Sequence, residues 1–168
     1  MEGVFDTPDV VVVKVGSSTI VDANNRPDRA FIETLCDQAA ELQHDGYHVV
    51  IVSSGAVAAG MERLGLDCKP QDMPGRQACA SAGQAALTEV YADLLGRHRI
   101  ACGQVLLTRR DLTDREGYLN ARNTLGRLIG LGAIPVINEN DTVSFTEFNF
   151  GDNDTLGAIV STMLHADL

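Results

Sequence analysis

The run Val10-Val11-Val12-Val13-Lys14-Val15 constrains the fold more than any other stretch of the chain. It is β-branched and apolar at successive positions, so both of its faces need cover. That is the pattern of a central strand in a parallel sheet. Parallel neighbours cannot be joined by tight turns and require crossovers, normally helices. The chain supplies them. Phe31, Leu35, Ala39 and Leu42 recur at helical spacing, with Asp28 as N-cap and Gly46 as stop. A second strand is expected over residues 48–53, followed by a helix through Ala58, Met61 and Leu64 that Gly65 closes. Residues 69–74 read as a loop, and residues 77–95 as an alanine-rich helix. Gly83 inside that helix signals close packing or a nearby ligand.

Residues 102–107 and 134–137 read as the third and fourth strands. Between them, 108–117 reads as a charged loop and 118–131 as a helix. Residues 142–150 alternate weakly, as an edge hairpin would, and a last helix opens at Asp152 or Asn153. A further strand is expected after it. Strands alternating with helices predict a three-layer αβα sandwich around a mainly parallel sheet.

Charge narrows the possible partners. With 13 basic and 23 acidic residues, the 168-residue chain has a formal net charge of -10. This disfavours nucleic acid and anionic membrane as partners. An anionic ligand would need backbone N–H groups, a few basic side chains and a metal ion to hold it. Cys36, Cys68, Cys79 and Cys102 form no CxxC pair and read as thiols of a reducing compartment. The four histidines form no ligand cluster, and no metal-binding residue is assigned. No signal peptide or membrane-length apolar run is visible, so the cytoplasm is expected.

Four polar constellations fall at or beyond the expected C-terminal ends of strands, where α/β sheets bind ligands. Lys14 with Gly16-Ser17-Ser18 offers a cation and an anion nest, or else a lysine paired with a buried carboxylate. Ser53-Ser54-Gly55-Ala56 opens a helix whose N-terminus suits a carboxylate or phosphate, or is an ordinary serine cap. Asn138-Glu139-Asn140-Asp141 offers amides for a carboxylate and Asp141 for an amino group, or else only forms a turn. Gly151-Asp152-Asn153-Asp154 is a capped helix start or a polar substrate loop. Together they suggest phosphoryl transfer to a small compound bearing amino and carboxylate groups.

Residues 12–18 resemble the phosphate loop of the amino acid kinase family, and residues 53–60 resemble its substrate loop. Residues 69–84, 104–109, 118–124, 135–141 and 150–156 are similar to the members that phosphorylate glutamate. The resemblance implies ATP-dependent phosphorylation of the γ-carboxylate of L-glutamate to γ-glutamyl phosphate, the first step of proline biosynthesis. It implies a catalytic Lys14 and a nucleotide-phosphate site at Lys14, Gly16 and Ser17. It also implies glutamate binding by Ser54, Asp141 and Asn153, with Asp152 and Asp154 beside them. Mg²⁺, a homo-oligomer and feedback inhibition by proline come with it. Residues 1–168 would be the N-terminal, glutamate-binding portion of a truncated kinase domain, with the ATP-binding C-terminal portion absent. The alternatives are another amino acid kinase or a non-catalytic amino-acid-binding regulatory domain.

Overall fold

The four strands expected over residues 10–15, 48–53, 102–107 and 134–137 form, and no strand follows the last helix among the described residues. The computed structural model describes residues 9–22, 24, 26–144 and 153–168. Strands β1 (Val10–Lys14), β2 (His48–Val52), β3 (Cys102–Leu107) and β4 (Ile134–Glu139) make one sheet in the order β1-β2-β4-β3. Every pairing is parallel, with Lys14 opposite Val52 and Leu107 opposite Glu139. The register brings the C-terminal ends of the strands to one edge of the sheet.

Alternation along the strands sorts the core into two layers. Val49, Ile51, Ile134 and Val136 pack beneath α2 (Arg29–His44), α3 (Ala56–Leu64) and α4 (Met73–Arg97). Val50, Val52 and Ile137 pack on the other face. There they meet α5 (Arg109–Thr113), α6 (Arg115–Gly130) and α7 (Asn153–Leu164). The fold is therefore the αβα sandwich that the apolar runs require. Val49 to Val52 are all 0% exposed, which places β2 at the centre, and each such side chain contributes about 1.5–3 kcal/mol of burial.

β1, expected to be central, is first in the strand order. Its outer side is not bare. The backbone turns at His165 (φ 52°), and Leu168 then brackets Val11 in the parallel pattern. Val12 N–H donates to Leu168 O at 2.8 Å, and Leu168 N–H donates to Val10 O at 3.4 Å.

Three expected loops are helical, for local reasons. Gly16-Ser17-Ser18-Thr19 leads into the single turn α1 (Ser17–Ile20), which drops Ile20 into the core at 0% exposure. The long helix α4 begins at Met73, with the Asp72 carboxylate accepting from Gly75 N–H. Pro74 lies in the first turn, where its missing N–H costs nothing. The 108–117 segment folds as α5 and the start of α6. Thr108 and Asp111 form a reciprocal capping box, and Asp114 accepts from Gly117 N–H. The expected 142–150 hairpin lies mostly outside the described residues; 142–144 form a turn. No helix among the described residues is long and apolar enough to cross a membrane.

Candidate ligand cleft at the strand ends

The loops leaving β1, β2 and β4 enclose a cleft of about 610 Å³. Ser17 and Ser18 enter it after β1, Ser54 and Gly55 after β2, and Glu139 and Asp141 after β4. Asn153 closes it from the start of α7, while Asp67 and Lys69 reach it from the loop before α4. A groove of similar volume lies between α3, α4 and the start of α2. It is lined by mixed charges, among them the Arg63–Glu89 ion pair at 3.6 Å, and no strand end opens onto it.

The head of α3 gives the cleft its donors. Gly55 takes φ 86°, and a Cβ there would stand 2.6 Å from Ile20 Cγ2, so both backbone and space demand glycine. No side chain caps this helix. The N–H groups of its first turn, at Ala56, Val57 and Ala58, are thus left for a ligand. α4 crosses directly behind. A Cβ at Gly83 would lie 1.8 Å from the Ala56 carbonyl oxygen, so the close approach that positions α3 depends on that glycine.

An amide network forms the floor. Asn153 Nδ2 donates to Ser53 O at 2.6 Å, Ser54 Oγ at 2.8 Å and Asn138 Oδ1 at 2.9 Å. Asn138 Nδ2 donates to Gln84 Oε1 at 2.9 Å. Ser53 Oγ lies 3.0 Å from the hydroxyl of Tyr91, itself 0% exposed. The Asn153 amide nitrogen is committed to the protein. Because Ser54 Oγ accepts from it, the Ser54 hydrogen is left to donate outward.

Of two lysines in this region, Lys69 lines the cleft and Lys14 does not. Lys14 leaves β1 on the α7 side and packs on Gly157, and its ammonium pairs with Asp154. Asp154 is 66% exposed and Lys14 25%. Gly16 adjoins the ammonium: a Cβ there would be 3.4 Å from Lys14 Nζ. Burial raises the pKa of the half-buried Asp141 above its ordinary value, and the nearby positive charge of Lys69 partly offsets this.

Ser17, Ser54, Asp141 and Asn153 therefore line one cleft; Lys14 and Gly16, which adjoin each other just before Ser17, are not among its lining residues. Asp154 touches Lys14 and is not among the lining residues. Asp152 lies outside the described residues. The sequence reading missed Lys69 and Asp67, which sit in an irregular loop with no periodic signal. The resemblance over residues 69–84 is that of a segment and assigns no role to Lys69 or Gln84 within it. Among the described residues, no three His, Cys, Asp or Glu side chains are grouped to hold a metal.

An all-parallel sheet covered on both faces, with a polar cleft at its carboxyl edge, defines an α/β small-molecule-binding domain. Residues 9–168 match the model of the Amino acid kinase family, and the chain belongs to that family. It is 46% identical, over 99% of its length, to a protein named glutamate 5-kinase from Herminiimonas arsenicoxydans. It is 52% identical, over 94% of its length, to proteins of the same name from Variovorax paradoxus and Ralstonia nicotianae. The chain spans 45%, 41% and 42% of those three relatives, less than half of each. The solved structure of a Giardia carbamate kinase shares the fold at a TM-score of 0.63 and 16% identity, over 96% of this chain and 71% of that one.

Proposed function

We propose that this chain is the amino-acid-binding portion of an enzyme that transfers the γ-phosphoryl group of ATP to the γ-carboxylate of L-glutamate. The product is γ-glutamyl phosphate, and the reaction opens proline biosynthesis. The observation that carries the proposal is the sorting of acceptors and donors along one cleft. It is supported by the 46–52% identity to proteins named glutamate 5-kinase. Asp141 and the carbonyl oxygen of the Asn153 side chain are acceptors suited to an ammonium. The Ser54 hydroxyl and the first-turn N–H groups of α3 are donors suited to a carboxylate.

The chemistry asks little proton transfer of the protein. A side-chain carboxylate with a pKa of about 4.3 is already ionised near neutral pH and needs no general base. What remains is to hold its oxygen in line with the phosphorus and to neutralise charge on the transferring group. Lys14 does the second task. Gly16 leaves room beside its ammonium for phosphate oxygens. Ser17 lines the cleft one residue further on. ATP supplies the phosphoryl group, and the proposal has its Mg²⁺ carried on the nucleotide phosphates, since no protein ligand for it is assigned.

Feedback inhibition by proline, homo-oligomer assembly and a cytoplasmic location belong to the same proposal. Proline carries the same ammonium and carboxylate and would compete for the same acceptors and donors. The test is turnover by the full-length protein, with ADP release coupled to hydroxamate trapping of the acyl phosphate. Glutamate-dependent hydroxamate is the expected result. ATP turnover with a different acceptor and none with glutamate would overturn the assignment.

A further inference from the structure

Hydrogen-bond polarity runs in one direction through the floor of the cleft, and two fixed groups set it. Glu139 N–H lies 2.9 Å from the side-chain amide of Asn138. A backbone N–H can only donate, so the atom it meets is Oδ1, and Asn138 Nδ2 must point the other way, at Gln84 Oε1. Gln84 Nε2 in turn donates to Thr88 Oγ1 at 3.4 Å. At the other end, the Ser53 carbonyl can only accept, so the Asn153 atom 2.6 Å from it is Nδ2. Asn138 Oδ1, already fixed as oxygen, demands the same at 2.9 Å. Asn153 is therefore locked with its nitrogen inward, and its one remaining hydrogen-bonding atom, Oδ1, is an acceptor.

We infer that Gln84 and Asn138 are positioning residues. They hold Asn153 so that its Oδ1, together with Asp141, accepts from the ammonium of the amino-acid substrate. This rests on the functional reading above and deepens it, because it gives Asn153 a polarity that its sequence position left open. An asparagine in a substrate loop could equally have donated to a carboxylate. Gln84 is not among the residues that line the cleft of about 610 Å³. It acts through Asn138, which loses its acceptor when Gln84 is replaced.

The experiment uses the full-length protein, with L-glutamate and glutarate (the same diacid without the amino group) as calorimetric probes. Side-chain amide resonances of Asn153 provide a readout that needs no ligand. In the wild type, L-glutamate binds, and glutarate binds at least about tenfold more weakly or too weakly to measure, because two acceptors lose their partner. Gln84→Met weakens L-glutamate about fivefold or more and speeds exchange of the Asn153 side-chain amide. Gln84→Glu keeps an oxygen opposite Asn138 Nδ2 and restores both. Gln84→Ala, with alanine the best helix former, gives the same reading as Gln84→Met should that variant not fold.

Equal affinity of the wild type for glutarate and L-glutamate would overturn the ammonium assignment. A Gln84→Met protein with unchanged glutamate affinity and an unchanged Asn153 amide would overturn the relay while leaving the functional reading intact. A wild type that binds no L-glutamate would overturn the functional reading, and the relay's role with it.

Discussion

Asp141 is half-buried, and its ionisation ties the cleft to pH. Burial raises its pKa above the ordinary value of 3.8, against the opposing effect of Lys69. The folded state thus favours the protonated form more than the unfolded chain does. The stability cost of burying the charge is absent below the ordinary value and complete once pH passes the raised one. Under the proposed function, ligand binding would run the other way, because only an ionised Asp141 would pair with an ammonium. Glutamate affinity is expected to fall, on acidification, at a higher pH than an unperturbed aspartate would give. Calorimetry between about pH 4 and 7 checks this. Lys69→Met should move the acid limb upward, and Asp141→Asn should remove its Asp141 component. Asp141→Asn should also weaken glutamate by about 10- to 100-fold at neutral pH, through loss of a charged hydrogen bond. Lys14→Met should instead lower kcat by about a hundredfold or more with little change in the KM for glutamate. Steady-state kinetics on the full-length protein separates the two.

Much of this residue-level picture was legible beforehand. Ser54 and Asp141 follow strands, and strand ends are where α/β ligands collect. Lys69 was not legible. It reaches the cleft from a loop whose path is set by the α3–α4 packing, and nothing in its neighbours' spacing announces that. Asn153 was recognised as a polar group at a helix start. Its polarity depends on Ser53 and Asn138, one of them 100 residues away in the chain.

At the scale of elements, the α3–α4 crossing shapes the site. Gly83 touches the Ala56 carbonyl at the head of α3, so any side chain there must displace that helix and its donors. Gly83→Val is expected to destabilise the fold by more than about 4 kcal/mol, the range of severe core disruption. Denaturant unfolding measures it. The glycine was visible in the sequence as a cost inside a helix, and the structure supplies its reason. The elements misread as loops share one cause. Segments 17–20 and 109–113 are too short to show a helical period, and their caps emerge only from side-chain geometry such as the Thr108–Asp111 box.

At the scale of the whole molecule, the double-sided burial of β2 and the helical crossovers left few alternatives to a parallel αβα sandwich, and the apolar runs announced both. Strand order was less legible, because edge and centre differ in partners rather than in composition. β1 carries as long an apolar run as β2 and still lies beyond it, with Leu168 along its outer side. The layering also ranks the thiols. Burial pushes Cys36 up to about 12 and Cys102 up to about 11, while Cys68 is exposed. Iodoacetamide at neutral pH should modify Cys68 well before the others, as intact mass and peptide mapping would show.

The central claim is that one cleft at the strand ends sorts the two ends of an amino acid between acceptors and donors. Amide and side-chain NMR during an L-glutamate titration of the full-length protein tests it most directly. Shifts are expected to concentrate at Ser54, Gly55 and the first turn of α3, and at Asp141 and Asn153. Shifts confined to the groove between α3 and α4, or none at saturating glutamate, would contradict it.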